Sequence, residues 1–219
     1  MAGWDIEKPS QVTTPTVKGR TIILVPHGSD SDYREWRDWF HNGLQKPEGT
    51  QWLETRGQSL VTARNYLVQE GLKTRADYLF FLDDDVMGPS NGLVNLMSTG
   101  LPIACGLYMA KKKKEERGLA AWMKNPNGTG YLAIQLNQNG RFVSVDVTGM
   151  GFALIHRSVF ERVTYPWFEW GVGGPSEDFF FYEKVAKEIG IKPVISIDTQ
   201  CRHIGTFAVD CLNEFTTLG

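Results

Sequence analysis

The sequence has few cysteines, no large excess of one charge and no long apolar run. Its three cysteines, Cys105, Cys201 and Cys211, are odd in number and irregularly spaced, which fits reduced thiols in a cytosol-like compartment. The formal net charge of −2 provides no basic excess to neutralise nucleic-acid phosphates. No apolar run approaches the roughly eighteen residues that cross a bilayer, and residues 1–5 lack the features of a signal peptide. We therefore expect a soluble, cytoplasmic protein with no nucleic-acid partner and no transmembrane segment.

The size and composition are those of an ordinary globular protein. The 219 residues can form one large domain with a substantial core, and 42% are hydrophobic and 22% charged. Residues 1–19 are polar and contain Pro9 and Pro15, which indicates a loosely attached N-terminal arm. Residues 20–219 are predicted to form the single domain.

One strand-length apolar run, Tyr78–Leu82, leads directly into the carboxylates Asp83, Asp84 and Asp85. A continuous apolar run is typical of a strand buried in a parallel sheet, and open α/β sheets bind ligands beyond the carboxyl ends of their strands. Alternate side chains of an extended segment point the same way, so Asp83 and Asp85 can face one point. Two converging oxygen donors suit Mg²⁺ or Mn²⁺. The motif predicts a divalent-metal site rather than an acidic turn, in which three adjacent anions would only repel one another.

The first half of the chain alternates between strand and helix patterns. Tyr33, Trp36 and Phe40 recur at helical spacing, in a helix that ends near Gly43. Ser59 can cap a helix that runs to Glu70, with Gly71 as its stop. The other predicted elements are the strands Thr21–Val25, Gln51–Glu54 and Ile103–Gly106 and a helix near Asn91–Ser98. This alternation predicts right-handed crossovers and a parallel sheet.

After Tyr108 the pattern becomes more antiparallel. The charged residues 111–117 predict a loop, which is either solvated surface or a neighbour of an anionic acceptor. Turn signals separate short apolar segments, and strands are predicted at Ala120–Met123, Tyr131–Leu136, Arg141–Val147, Gly149–His156 and Lys192–Ile197. Helices are predicted at Ser158–Val163 and Ser176–Ile189, the second ended by Gly190. The chain as a whole is predicted to be one α/β domain.

Glu177 and Asp178 fall in the first turn of the last predicted helix. The helix dipole favours acids there by about 0.3–1 kcal/mol, which alone accounts for them. Their surroundings favour function, because Trp167 and Trp170 precede a glycine-rich loop at residues 171–175. Aromatic faces beside flexible glycines suit a pocket that closes on a sugar. The same dipole would keep Asp178 ionised, as a general base must be.

Three other side chains can be placed near the acidic cluster. His203 lies just beyond the last strand, and His27 follows Pro26 at the end of the first. A lone histidine is usually structural, so neither is a metal ligand on this ground alone. Arg64, on the helix after Ser59, either pairs with an acid such as Glu70 or reaches a phosphate, which suits an arginine fork.

Together these motifs resemble those of glycosyltransferases of the GT-A fold, in the style of the compact family 2-like enzymes of viruses and bacteria. The resemblance runs from about Thr21 to Gly205. It is carried by Gly57–Asn65, by Asp83-Asp84-Asp85 as the Asp-X-Asp motif, by Thr148–Ile155, by Ser176-Glu177-Asp178 and by His203. It implies a single-domain α/β/α sandwich with a Rossmann-like nucleotide-binding half and a mixed central sheet.

The resemblance also implies a role for each group of residues. Mn²⁺ or Mg²⁺ would be held on the donor diphosphate by Asp83, Asp85 and His203, with Asp85 the surest ligand. Nucleotide and donor sugar would be bound by Pro26, His27, Arg64, Asp83, Asp84, Gly149 and Gly151. Asp178, next to Glu177, would be the base of an inverting enzyme. The acceptor would contact Trp167, Trp170 and Tyr108.

The implied reaction moves a sugar from a nucleoside-diphosphate sugar, of the UDP or GDP type, to a hydroxyl of a glycan, glycoprotein or lipid-linked acceptor. The transition state resembles the oxocarbenium ion of glycoside hydrolysis. Because the leaving group is a diphosphate, a Lewis-acidic metal can replace the general acid. One metal cluster and one base then suffice, and the sequence supplies candidates for both.

Pro26-His27-Gly28 departs from the usual start of the family's nucleotide site, which leaves the base open. One alternative is a sugar-nucleotide nucleotidyltransferase, which would normally need a glycine-rich, arginine-containing loop after the first strand. A phosphatase with an aspartyl nucleophile would need Thr or Val where Met87 stands. A non-catalytic carbohydrate- or nucleotide-binding relic is the third alternative.

Overall fold

The structure is a computed structural model that describes residues 19–28, 33–110, 118–135, 140–171 and 176–204. Several predictions lie outside these ranges: almost all of the N-terminal arm, the charged loop at residues 111–117, the end of the strand predicted to reach Leu136, and the glycine-rich loop at residues 172–175. Within the described ranges, no helix is long and apolar enough to cross a membrane.

The strands of the described residues form one large sheet and two small ones. In chain order they are β1 Thr21–Pro26, β2 Gln51–Thr55, β3 Tyr78–Leu82, β4 Val86–Met87, β5 Ile103–Leu107, β6 Ala121–Lys124, β7 Tyr131–Ala133, β8 Phe142–Ser144, β9 Val147–Thr148, β10 Phe152–His156, β11 Val194–Gln200 and β12 Arg202–His203. The seven-stranded sheet has the order β2-β1-β3-β10-β5-β11-β8, and the small sheets are β12-β4 and β7-β6-β9.

The central sheet is mixed, which confirms the predicted fold class. β2, β1 and β3 are parallel, as the alternating pattern predicts. β10, however, is antiparallel to both β3 and β5 and separates them, so the prediction of a continuous parallel sheet is wrong at this point. The reason is that a strand buried on both faces, such as β10, shows the same apolar run whichever neighbours it pairs with.

The helices are α1 Arg34–Asp38, α2 Leu60–Lys73, α3 Gly92–Ser98, α4 Arg157–Arg162 and α5 Glu177–Ile189, and a π-helical turn, Trp39–Gly43, continues α1. The Ser59 hydroxyl accepts the N–H of Thr62 and caps α2, as predicted. α2 runs past Gly71, so the predicted stop there is wrong. Gly71 instead allows close packing, because a Cβ on it would come within 3.2 Å of Leu79 Cδ2.

The segment predicted as one strand, Arg141–Val147, divides between two sheets. β8 pairs with β11 at the edge of the large sheet, and β9 pairs with β6 in the small one. Between them the N–H of Val145 donates to Pro193 and that of Asp146 to Trp122. The strand predicted from Gly149 begins only at Phe152, because residues 149–151 turn around a buried tyrosine described below.

Candidate active site

The predicted acidic motif lies where β3 ends, at the carboxyl edge of the sheet. The N–H of Asp83 donates to Gly151 O (3.1 Å), and the N–H of Val86 donates back to Asp83 O (3.1 Å), which turns the chain after β3. Trp36 is the buried residue of α1, and its indole donates to Val86 O at 3.1 Å, which anchors this turn from the other side. The three carboxylates are therefore carried on a fixed turn rather than on a free loop.

A two-residue ladder brings His203 to this motif. β12 pairs antiparallel with β4, with His203 opposite Val86, and the N–H of Ile204 donates to Asp85 O at 2.6 Å. The His203 Nε2 lies 3.4 Å from Asp85 Oδ1. Its Nδ1 lies 2.9 Å from Met109 O, and because a carbonyl oxygen can only accept, the proton is on Nδ1. With its proton on Nδ1, a neutral ring would present the Nε2 lone pair to this carboxylate oxygen.

This pair fits one side of a divalent cation. Two acceptors that face each other need a proton or a metal ion between them, and a backbone carbonyl that holds the far nitrogen is the usual outer partner of a metal-bound histidine. In the described part of the chain, no three His, Cys, Asp or Glu side chains converge to hold a metal ion. Asp85 and His203 would thus leave most coordination positions to other ligands, as Mg²⁺ and Mn²⁺ sites on phosphate substrates do.

Arg64 connects the acidic motif to the first turn of α5. It is 1% exposed, and its Nη2 donates to both oxygens of Asp83, at 3.0 and 3.2 Å. Its Nη1 donates to Glu177 and lies 3.5 Å from Asp178 Oδ1. The alternative that Arg64 pairs with Glu70 is wrong, since Glu70 pairs with Lys73 at the helix surface. Asp83 is also less available to a metal than predicted, because Arg64 engages both of its oxygens.

Burial sets the protonation behaviour of this cluster. Burial and the nearby charge of Asp178 raise the pKa of Glu177 to about 7, against the opposing effect of Arg64. Burial also raises the pKa of Asp83, and Asp85 adds to that rise while Arg64 opposes it. For Arg64, burial alone would lower the pKa, but Asp83, Asp178 and Glu177 together raise it. The guanidinium therefore remains a fixed positive charge among acids.

Asp178 differs from Glu177 in being partly open to solvent. Its side chain is 17% exposed, whereas that of Glu177 is 3% exposed. One oxygen of Asp178 accepts the N–H of Met150 at 3.3 Å. A carboxylate that is held by the backbone and still reachable from solvent can exchange a proton with a bound hydroxyl.

The glycines of the Thr148–Ile155 motif pack against Tyr108. The Tyr108 hydroxyl accepts the N–H of Gly151 at 2.9 Å. A Cβ on Gly149 would overlap that hydroxyl, and one on Gly151 would come within 3.0 Å of Asp83 Oδ2. Tyr108 is 5% exposed, and burial raises its pKa well above the usual range. The Tyr108 ring therefore lies beneath the glycines, and its contact with an acceptor stays a prediction.

A second cluster lies at the ends of β1 and β2. His27 is buried after Pro26, with Nδ1 3.1 Å from Asp84 Oδ2 and Nε2 3.4 Å from Glu54 Oε2. The backbone N–H of His27 donates to Thr55 O at 2.9 Å. The Arg56 Nη2 lies 3.4 Å from both His27 Nε2 and Glu54 Oε2. Sequence reasoning missed Glu54, Thr55 and Arg56, although the end of a predicted parallel strand was a signal for them.

The two tryptophans predicted to contact the acceptor lie in different environments. Trp167 is 7% exposed, and its indole donates to Phe160 O and Val163 O. It packs in the core, and its contact with an acceptor stays a prediction. Its backbone N–H donates to Asn65 Oδ1, which ties this segment to α2. Trp170 is 59% exposed.

No protein-family model matches the sequence, and no curated protein sequence matches it. Solved structures do match. The crystal structure of A197 from STIV has a TM-score of 0.63 at 19% identity, and the match covers 87% of this chain and 90% of that one. The chain has the GT-A fold. GalNAc-T7, crystallised with UDP, GalNAc and Mn²⁺, has a TM-score of 0.60 at 12% identity, and the match covers 87% of this chain but only 44% of that one.

Proposed function

We propose that this protein is a metal-dependent glycosyltransferase that moves a sugar, with inversion, from a nucleoside-diphosphate sugar to an acceptor hydroxyl. The observation that carries the proposal is the pair formed by Asp85 and His203 at the carboxyl edge of the sheet, beside the partly open carboxylate of Asp178. The GT-A fold supports it, and so does the presence of UDP, GalNAc and Mn²⁺ in the structure of GalNAc-T7.

Asp85 and His203 would hold Mn²⁺ or Mg²⁺. When bound, the ion would neutralise the charge that develops on the departing diphosphate. Met109 O orients the imidazole, and the β4–β12 ladder fixes its distance from Asp85. Asp83 would act mainly through Arg64, which holds Asp83, Glu177 and Asp178 in one arrangement.

The nucleotide would lie over the ends of β1 and β2. Pro26 ends β1 with its side chain buried, and His27 holds Asp84 in place for a ribose or sugar hydroxyl. Glu54 and Arg56, one an acceptor and the other a donor, lie at the same edge and suit the polar edge of a base. Gly149 and Gly151 would bring bare backbone close to the donor sugar.

Asp178 would accept the proton of the acceptor hydroxyl. In this step the acceptor oxygen forms a bond to the anomeric carbon, the bond from that carbon to the diphosphate breaks, and the electron pair leaves with the diphosphate. Glu177 would not touch the substrate, because it is buried against Arg64; it is a positioning residue. Exposed Trp170 remains the aromatic candidate for acceptor contact.

A panel of UDP, GDP and other nucleotide sugars, incubated with Mn²⁺ and assayed for released nucleoside diphosphate, tests the proposal. We expect slow hydrolysis of one donor, reduced on the order of a hundredfold by Asp85→Ala. The exposed acid Asp38 on α1 provides a control for charge, and Asp38→Ala should hydrolyse the donor at the wild-type rate. The proposal fails when no donor is turned over and none raises the melting temperature with Mn²⁺.

A further inference from the structure

A cleft lies at the amino ends of the parallel strands, opposite the carboxyl ends that carry the acidic motif. Its volume is about 390 Å³, within the range of small-molecule sites. It is formed where β1 and β2 begin and where α2 connects to β3, and Arg20, Thr21, Gln51, Lys73, Thr74 and Arg75 line it. Thr21 begins β1 and Pro26 ends it, so roughly 17 Å of strand separates this cleft from the acidic edge.

The charge of this cleft is positive. Arg20, Lys73 and Arg75 line it, and no acidic residue is among the described residues of its wall. Lys73 pairs with Glu70, and the backbone N–H of Arg20 donates to Asp77. Within the described ranges, the guanidinium groups of Arg20 and Arg75 make no hydrogen bond or ion pair. Two guanidinium forks that border one cavity without a carboxylate are suited to an oxyanion.

The end of α2 would normally oppose an anion here, because the C-terminal end of a helix carries partial negative charge. Arg157 offsets this effect. Its Nη1 donates to Thr74 O (3.2 Å) and Ala76 O (2.9 Å), and its Nη2 donates to Leu72 O (3.2 Å). Arg157 thus already neutralises these carbonyls. The positive charges that line the cleft remain available to an anion in it.

We infer that this cleft binds a phosphate group, held by Arg20 and Arg75 with Lys73 beside them. The phosphate is either free or carried on a lipid headgroup, since both present the same oxygens. The site is independent of the proposed transfer reaction, because it lies at the opposite end of β1 from the acidic motif. When no divalent metal is present, the acids of that motif repel an anion, so an anion that binds then binds in the cleft.

Calorimetric titration of the full-length chain with orthophosphate and with pyrophosphate, in buffer containing EDTA, measures the site without metal-assisted binding elsewhere. We expect binding of at least one anion, weakened on the order of tenfold for each arginine removed, as for the loss of a charged hydrogen bond. The test variant is Arg20→Ala with Arg75→Ala. The matched control, Arg34→Ala with Arg162→Ala, removes the same charge from exposed positions elsewhere and should bind as wild type.

Sedimentation with phosphatidylcholine vesicles, with and without phosphatidylglycerol, distinguishes the two sources of phosphate. Sedimentation that requires phosphatidylglycerol and is lost only in the Arg20/Arg75 variant assigns a lipid headgroup, whereas anion binding without sedimentation assigns a free phosphate compound. The inference is overturned when neither anion nor vesicle binds, or when both double variants lose binding equally, since only net charge would then matter.

Discussion

Replacing Glu177 with glutamine isolates the free energy of ionising a carboxylate that is buried against Arg64. Glutamine keeps the shape and can still accept a hydrogen bond from Arg64, but it does not titrate. In the folded protein the pKa of Glu177 is raised from its ordinary 4.5 to about 7, first by burial and then by Asp178. The folded state therefore binds this proton more tightly than the unfolded chain does.

The sign of the effect follows from that difference. The stability that protonated Glu177 contributes is fully present below about pH 4.5 and is lost as the pH rises through about 7. Between pH 5 and pH 8 the loss amounts to roughly 2–3 kcal/mol of unfolding free energy. Glu177→Gln lacks this loss, so wild type should become less stable relative to the variant by that amount.

Urea unfolding of both proteins at pH 5, 6, 7 and 8 measures the difference directly. The exposed residue Glu169 offers a control, since Glu169→Gln makes the same change of charge outside the cluster. A gap between wild type and Glu177→Gln that stays constant with pH, or that moves in favour of wild type as the pH rises, would refute the reasoning. Glu177 would then be ionised throughout, as one partner of a fully charged pair.

The other predictions concern metal, base and packing. His203→Ala should weaken Mn²⁺ binding on the order of tenfold or more, measured by calorimetry, while the exposed control His41→Ala should not; equal affinities would contradict the ligand role. Asp178→Asn should bind donor normally and lose on the order of 10²- to 10⁴-fold in transfer, and normal transfer would remove Asp178 as the base. Gly149→Ala should destabilise the fold by about 1–3 kcal/mol, and less in a Tyr108→Phe background, which lacks the clashing oxygen; additive unfolding energies would show that the hydroxyl is not the obstacle.

Local signals in the sequence were sufficient for the sheet edge and its acids. The apolar run of β3 ending at Asp83 depends only on neighbouring residues, and so does the Ser59 cap of α2. The position of β10 between β3 and β5 was not predictable, because strand order is determined by packing across the whole domain. The predicted fold class is nevertheless correct. The antiparallel strand β10 makes the central sheet mixed, but it does not change the layers of the α/β fold.

Several residues that cluster at the carboxyl edge of the sheet could be named from the sequence, but their contacts could not. Arg64 and Glu177 are 113 positions apart, and no periodicity connects them. Trp167 and Trp170 have similar local sequence, yet Asn65 binds the backbone of the first and draws it into the core. Glu54 could have been found, because it precedes the end of a strand parallel to β1.

The ladder between β4 and β12 has a consequence for how the proposed metal site could be lost. Two residue pairs, a backbone hydrogen bond from Ile204 to Asp85 O and the contact of His203 Nδ1 with Met109 O hold the imidazole over the acidic turn. All of them belong to a segment of three residues, 202–204. Detachment of residues 202–204 would remove the proposed cation ligand His203 and leave the seven-stranded sheet intact. By mutual linkage, a bound cation would clamp this short segment in place, and a chelator should make it the first part of the domain that a protease can cut.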